Sequence, residues 1–201
     1  MTDLRHEGTG QVKPILFNTD MVLAILDGRK TATRRVVKPI PPENARLELF
    51  GDRRHAMDLS IEIPGPNDRR IYTPPYIPGN ILYVRETWAR NPFGEGFIYP
   101  TDHPGAGQKW RPSIHMPKEA ARIFLRVTDL RVERLQEIDG AGIKAEGTSG
   151  RFGATRGAFI DLWNSTVKRT ERHQYGYRAN PWVWVISFER CEKPEGWPWS
   201  E

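Results

Sequence analysis

The chain has 201 residues, with 30 Lys and Arg against 25 Asp and Glu, for a formal charge of +5. Its one cysteine excludes an intramolecular disulfide framework, and no run of ~18 apolar residues offers a membrane span. The length suits one domain with insertions better than two domains, and the basic excess favours, without proving, a polyanionic partner. No charged-then-apolar leader opens the chain, so the expected compartment is the cytoplasm.

Residues 1–12 are polar and read as a flexible N-terminus. Lys13 to Phe17 reads as the first strand. A short helix is expected from Asn18 to Asp27: Asn18 or Thr19 caps its start, Asp20 suits the positive end, and Val22, Ile25 and Leu26 share one face. Gly28 stands where a left-handed residue ends such a helix. Thr31 to Val37 is β-branched and reads as a second strand, stopped by Pro39, Pro41 and Pro42. Residues 38–79 read as a proline-rich insertion holding at most a hairpin around Leu47–Leu49 and Ala56–Ile63.

After a turn at Pro78-Gly79-Asn80, a strand is expected over Ile81 to Trp88, with Phe97 to Tyr99 paired to a neighbour. Trp110 to Pro117 reads as extended, and Ala120 to Val127 as a strand with Ile123, Leu125 and Val127 on one face. Leu130 to Leu135 continues or pairs with it. Gln136 to Glu146 is a weak helix, since Gly140 and Gly142 disfavour one. Arg156 to Val167 is a better helix, with Phe159, Leu162 and Trp163 on one face; Lys168 to Ala179 is a basic loop, and Pro181 to Phe188 the closing strand. Short strands with few helices predict a mainly β, α+β chain: a small twisted, mostly antiparallel barrel spanning 13–190, with a tail at 191–201.

Residues 28–35, Gly-Arg-Lys-Thr-Ala-Thr-Arg-Arg, concentrate cations and hydroxyls directly after an anchored helix. A threonine hydroxyl needs a base to become a nucleophile, and Lys30 can be that base only if burial or the neighbouring Arg29, Arg34 and Arg35 lower its pKa. The plainer readings are a site that binds phosphate or carboxylate without chemistry, or a solvated basic turn. In Arg85-Glu86-Thr87-Trp88, a carboxylate beside an indole suggests a pocket that stacks a base and accepts from its amine. The plainer reading is a core tryptophan with Glu86 paired to an arginine. Trp110, Ser113 and His115 are further ligand candidates on a stiff, proline-bounded segment. The spacing of histidines and the single cysteine give no metal site, and no cofactor fingerprint is present. Lys168 to His173 with Tyr175 and Tyr177 interleaves cations and rings, as a nucleic-acid contact does, although such a stretch is more often only solvated.

The octapeptide resembles the motif of the ASCH superfamily, PUA-like domains associated with RNA. Gly28, Lys30 and Arg35 match its Gly-x-Lys-x-x-Glu-x-Arg pattern, and Thr33 stands where the Glu falls. The ASCH members that act as N4-acetylcytidine amidohydrolases carry Gly-Arg-Lys-Thr-x-Thr here, so the resemblance implies Lys30 and Thr33 as catalytic residues together with a downstream Glu. Glu146 is matched to that Glu, with Glu137 and Asp139 as competitors. Further stretches, among them Gly79 to Trp88, Trp110 to Pro117, Ala145 to Gly147, Leu162 to Ser165 and Asn180 to Val185, resemble ASCH-like proteins of phages and prophages. The resemblance implies a PUA-like fold and a protein that recognises a nucleotide or modified base, in RNA or free. The alternatives are an amidohydrolase acting on N4-acetylcytidine-like nucleosides, and a non-enzymatic phage accessory protein. The site is expected where residues 28–35 meet Glu86–Trp88 and Trp110–Met116.

Overall fold

A computed structural model of the chain describes residues 10–41, 46–50, 58–62, 69–103, 108–148 and 153–198, with the backbone alone for 46–50, 58–62 and 69–71. Most of the N-terminal segment, Pro42, Pro64, Pro66 and the end of the tail lie outside the described residues.

Strand β1 (Val12–Leu16) leads into helix α1 (Thr19–Leu26) and strand β2 (Ala32–Val36). Asn18 caps α1 by accepting from the Met21 amide at 2.9 Å, and Gly28 at φ +73° turns the chain out of it. Met21, Val22, Ala24 and Ile25 are buried, so the helix lies on the sheet by the face its periodicity marks. Strands β3 (Arg46–Phe50), β4 (Asp58–Glu62) and β5 (Arg69–Tyr72) form a separate antiparallel sheet, where the sequence suggests only a hairpin. Its last residue, Tyr72, is nevertheless buried in the main core.

Strand β6 (Ile81–Arg85) ends three residues earlier than expected. The Phe17 amide donating to the Arg85 carbonyl at 3.1 Å is the last rung beside it, and the chain then turns away. The small β7 (Ala89–Arg90) and β8 (Phe97–Ile98) pair with each other. The segment expected to be extended up to Pro117 contains a 3₁₀ turn at Ser113–His115. Strand β9 (Phe124–Arg134) is continuous, with its register against the last strand shifted by one residue near Thr128. That bulge explains why two runs are legible where one strand exists. Helix α2 (Gly140–Ala145) is capped by Asp139, and α3 (Arg156–Thr166) by Thr155. The expected basic loop is instead a run of short helical turns including α4 (Arg172–Tyr175), before β10 (Trp182–Cys191).

The main sheet has the order β1-β6-β9-β10-β2, with β1 parallel to β6 and the other pairs antiparallel. The α+β class stands, but the closed barrel does not form: β1 and β2 are the two edges. Side chains rather than a ladder bring these edges into contact. Arg35 of β2 donates to the Leu16 carbonyl of β1 at 3.2 Å, and the Tyr76 hydroxyl, from the segment between β5 and β6, covers β1 by donating to the Pro14 carbonyl at 2.7 Å. Pro14 fits its place, because an edge strand tolerates a residue without an N–H. Ile15, Leu82, Val84, Ile123, Leu125, Val127 and Ile186 form the core beneath α1. Phe159, Trp163, Val183 and Val185 pack on the other side of β10. At roughly 1.5–3 kcal/mol for each large apolar side chain, these two clusters fix β2 between α1 and α3. Among the described residues no helix is long and apolar enough to cross a membrane.

Candidate functional site

The end of α1 and the end of α2 are pressed together around Lys30. The Arg29 and Lys30 amides both donate to the Ala24 carbonyl, at 2.8 and 2.9 Å, and fold the chain back on the helix. Lys30 then bridges to Glu146, and the Thr31 amide donates to the Ala145 carbonyl at 2.8 Å. Gly147 makes this approach possible. It has φ +73°, and a Cβ there would meet the Cβ atoms of Lys30 at 2.7 Å and Ala24 at 2.8 Å.

Lys30 is 2% exposed, and its ammonium donates to Glu146 Oε2 at 2.8 Å, to the Glu146 carbonyl at 2.9 Å and to the Ala32 carbonyl at 2.9 Å. These three bonds use all three ammonium donors. Glu146 Oε1 accepts from Arg34 Nη1 at 3.1 Å, and Arg34 Nε donates to Glu133 Oε1 at 2.8 Å. All four side chains are buried. The group is two cations and two carboxylates in series, the composition that makes buried charge tolerable. Arg131 reaches Glu133 from the exposed side. Burial pushes the Lys30 ammonium below the usual lysine range, while the adjacent Glu146 carboxylate opposes that shift.

Thr33 is buried on β2 opposite Ile186. With Arg34, Arg35, Glu146, Phe159 and Trp163 it lines a cavity of about 20 Å³, room for roughly one water. Larger spaces adjoin it. One of about 290 Å³ shares Met21, Glu146 and Leu162 with it and adds Arg29. Another of about 290 Å³ shares Arg34, Arg35, Trp163 and Thr166 and extends past Lys38. Arg29 is exposed, paired with Asp27 at 2.9 Å and donating to the Gly147 carbonyl at 3.1 Å. The Arg35 guanidinium lies 5.5 Å from the Phe17 ring centre.

The remaining expected site residues form a second group with separate partners. Glu86 is held by Arg122, Nε to Oε1 at 2.9 Å and Nη2 to Oε2 at 3.1 Å, and its amide donates to the Met116 sulfur at 3.1 Å. Burial pushes its carboxyl up, against the pull of Arg122. Trp88 is 3% exposed, edge-on to Phe97, in a cluster with Tyr83, Tyr99, Phe124 and Trp197. Its indole N–H has no partner among the described residues. This is the geometry of a core tryptophan and a glutamate paired to arginine. Trp110 and Ser113 are half-buried and His115 is exposed, on the segment that bridges to Trp88 through Arg111.

Glu133 and Arg122, the partners that fix Arg34 and Glu86, are invisible in the local sequence. Both depend on strand register or on contacts more than 30 residues away. A Glu146 carboxylate placed against Lys30 also differs from the arrangement a lysine base needs, since it favours the ammonium.

No family model matches the chain, and no curated protein matches it. A solved structure similar to it is the ASCH domain from Lactobacillus crispatus JV V101, at 12% identity and a TM-score of 0.44, over 90% of this chain and 79% of that one.

Proposed function

We propose that the chain is an ASCH-like protein, of the phage and prophage branch, that recognises a nucleotide or modified base beside β2. The observation that carries this reading is the convergence of Thr33, Arg34, Arg35 and Glu146 on adjoining cavities, over a buried Lys30–Glu146–Arg34–Glu133 network. Local charge is balanced inside, while Arg29 and Arg35 stand at the openings. Such a place offers fixed donors and a fixed carboxylate to a base edge and the positive charge of Arg29 and Arg35 to a phosphate. The test is calorimetric titration with nucleosides and nucleoside monophosphates. Wild type binds a nucleotide, and Thr33→Val weakens it at least about tenfold, one lost hydrogen bond to a buried polar group. A wild type inert to every nucleoside and nucleotide overturns the reading.

A second reading is amidohydrolysis of an N4-acetylcytidine-like nucleoside. It is favoured by Thr33 and Glu146 lining one cavity beside the buried Lys30, whose ammonium burial disfavours. The Thr33 hydroxyl attacks the acyl carbonyl as its proton passes to Lys30 once that amine has shed one. The C–N bond then breaks as Glu146 passes a proton to the leaving amine, and water hydrolyses the acyl-Thr33 ester to release the carboxylic acid and restore the hydroxyl. Release of cytidine by wild type, lost by orders of magnitude in Thr33→Ala and Lys30→Ala, supports it. No release by wild type leaves recognition alone.

A further inference from the structure

We infer that the ligand is a single strand of nucleic acid rather than a free nucleoside, and that Lys38 and Tyr175 hold the nucleotide beside the one recognised at Thr33. This rests on the recognition reading above and extends the same site along β2. Two cavities flank the strand end. One, of about 290 Å³, lies between Arg35, Lys38, Trp163 and Tyr175. The other, of about 300 Å³, lies between Arg35, Lys38, Tyr76 and Trp184. Arg35 and Lys38 line both, so cations stand between two aromatic surfaces.

Lys38 is exposed, and its ammonium sits 4.4 Å from the Tyr175 ring centre. Tyr175 is held in place through its carbonyl, which accepts from the Trp163 indole at 2.8 Å. A cation resting on a ring face marks a surface open to a flat partner. A base takes the ring, and the displaced ammonium meets the adjoining phosphate. Glu171 also lines this cavity, a carboxylate that opposes a phosphate on its own side. Thr33 and Lys38 are five positions apart on nearly extended chain, roughly 17 Å, too far for one nucleoside to touch both. The floor at Thr33 admits little more than a water, so affinity has to come from these flanks.

The test is fluorescence anisotropy with labelled strands of ~8 nucleotides, a length one small fold covers. The arms are single-stranded RNA, single-stranded DNA and the duplex, with a nucleoside monophosphate as competitor. The expected result is single-strand binding at least about tenfold tighter than the monophosphate, and tighter than the duplex. Tyr175→Leu weakens the strand about tenfold, and Lys38→Gln lowers the slope of log affinity against log salt by about 0.7. Preference between the RNA and DNA arms identifies the source of the strand through the 2′-hydroxyl. A monophosphate that binds as tightly as the strand, or a strand indifferent to both substitutions, overturns this inference and leaves nucleotide recognition standing. Binding of neither overturns both.

Discussion

Glu146 is the residue on which the site turns. One carboxylate oxygen holds Lys30 and the other holds Arg34, with all three side chains out of water. Removing it leaves the buried Lys30 ammonium without a counter-charge and Arg34 with Glu133 alone, so Glu146→Ala is expected to cost about 3–5 kcal/mol, the range for breaking a buried pair. A urea midpoint series measures this. A loss below about 1 kcal/mol means the carboxylate is not the common partner described. The double variant Lys30→Met with Glu146→Leu should lose less than Glu146→Ala, because it removes charge as well as partner. At this scale the sequence was partly legible. The octapeptide pointed to Lys30, Thr33 and the arginines, and a motif resemblance pointed to Glu146. Glu133 carries no local mark that separates it from Glu137 or Asp139. Its burial comes from β9 and β2 lying on either side of β10, with Glu133 and Val36 both opposite Val183.

Among the elements, the stretch leaving β6 shows how a strand end is set by its neighbours. The run from Ile81 to Trp88 has β propensity throughout, yet β1 gives out at Leu16, opposite Arg85. Beyond that point Glu86 and Trp88 find other partners, and the hydrophobic alternation continues into a core that is not the sheet. Tyr99 reports on this cluster. Its hydroxyl donates to the Ala120 carbonyl, and the Arg122 guanidinium lies 3.9 Å from its ring centre. Burial, and then the Glu86 charge, push its pKa up to about 12. An unfolded tyrosine ionises near pH ~10. The unfolded chain therefore loses this proton first, and the stability the neutral hydroxyl confers is complete below about pH 10 and is lost as pH rises toward about 12. Denaturant midpoints at about pH 9 and about pH 11 should diverge more in wild type than in Tyr99→Phe. Equal divergence in both removes Tyr99 as a source.

On the scale of the whole molecule, class and chain order of the strands could be read from alternation and turn residues, but closure could not. Whether a sheet closes depends on strand lengths, tilt and register together. Here β9 and β10 have 11 and 10 residues, whereas the edges β1 and β2 have five each. The two short edges approach at the Leu16 end, where Arg35 spans the gap. Likewise, β5 was missed because Arg69–Tyr72 is four residues long and reads as part of a charged loop.

An unclosed sheet leaves β2 with one side free of a partner strand, and that has a consequence for how copies of this chain behave together. A bare strand edge is a template on which another chain can zip, and cations along it are a deterrent, because pairing would force like charges together and strip their water. The first residues of β2, Ala32, Thr33 and Arg34, are buried, so the part open to another chain is the far end, where the half-buried Arg35 and, just beyond the strand, the exposed Lys38 stand. Replacing both with valine should turn a dispersed protein into one that self-associates as concentration rises, seen as growing light scattering at unchanged temperature. Equal scattering from wild type and the double variant would show that the edge is guarded by something else. If the double variant alone self-associates, the cations assigned to ligand capture are also what keeps copies of this chain from pairing along that edge.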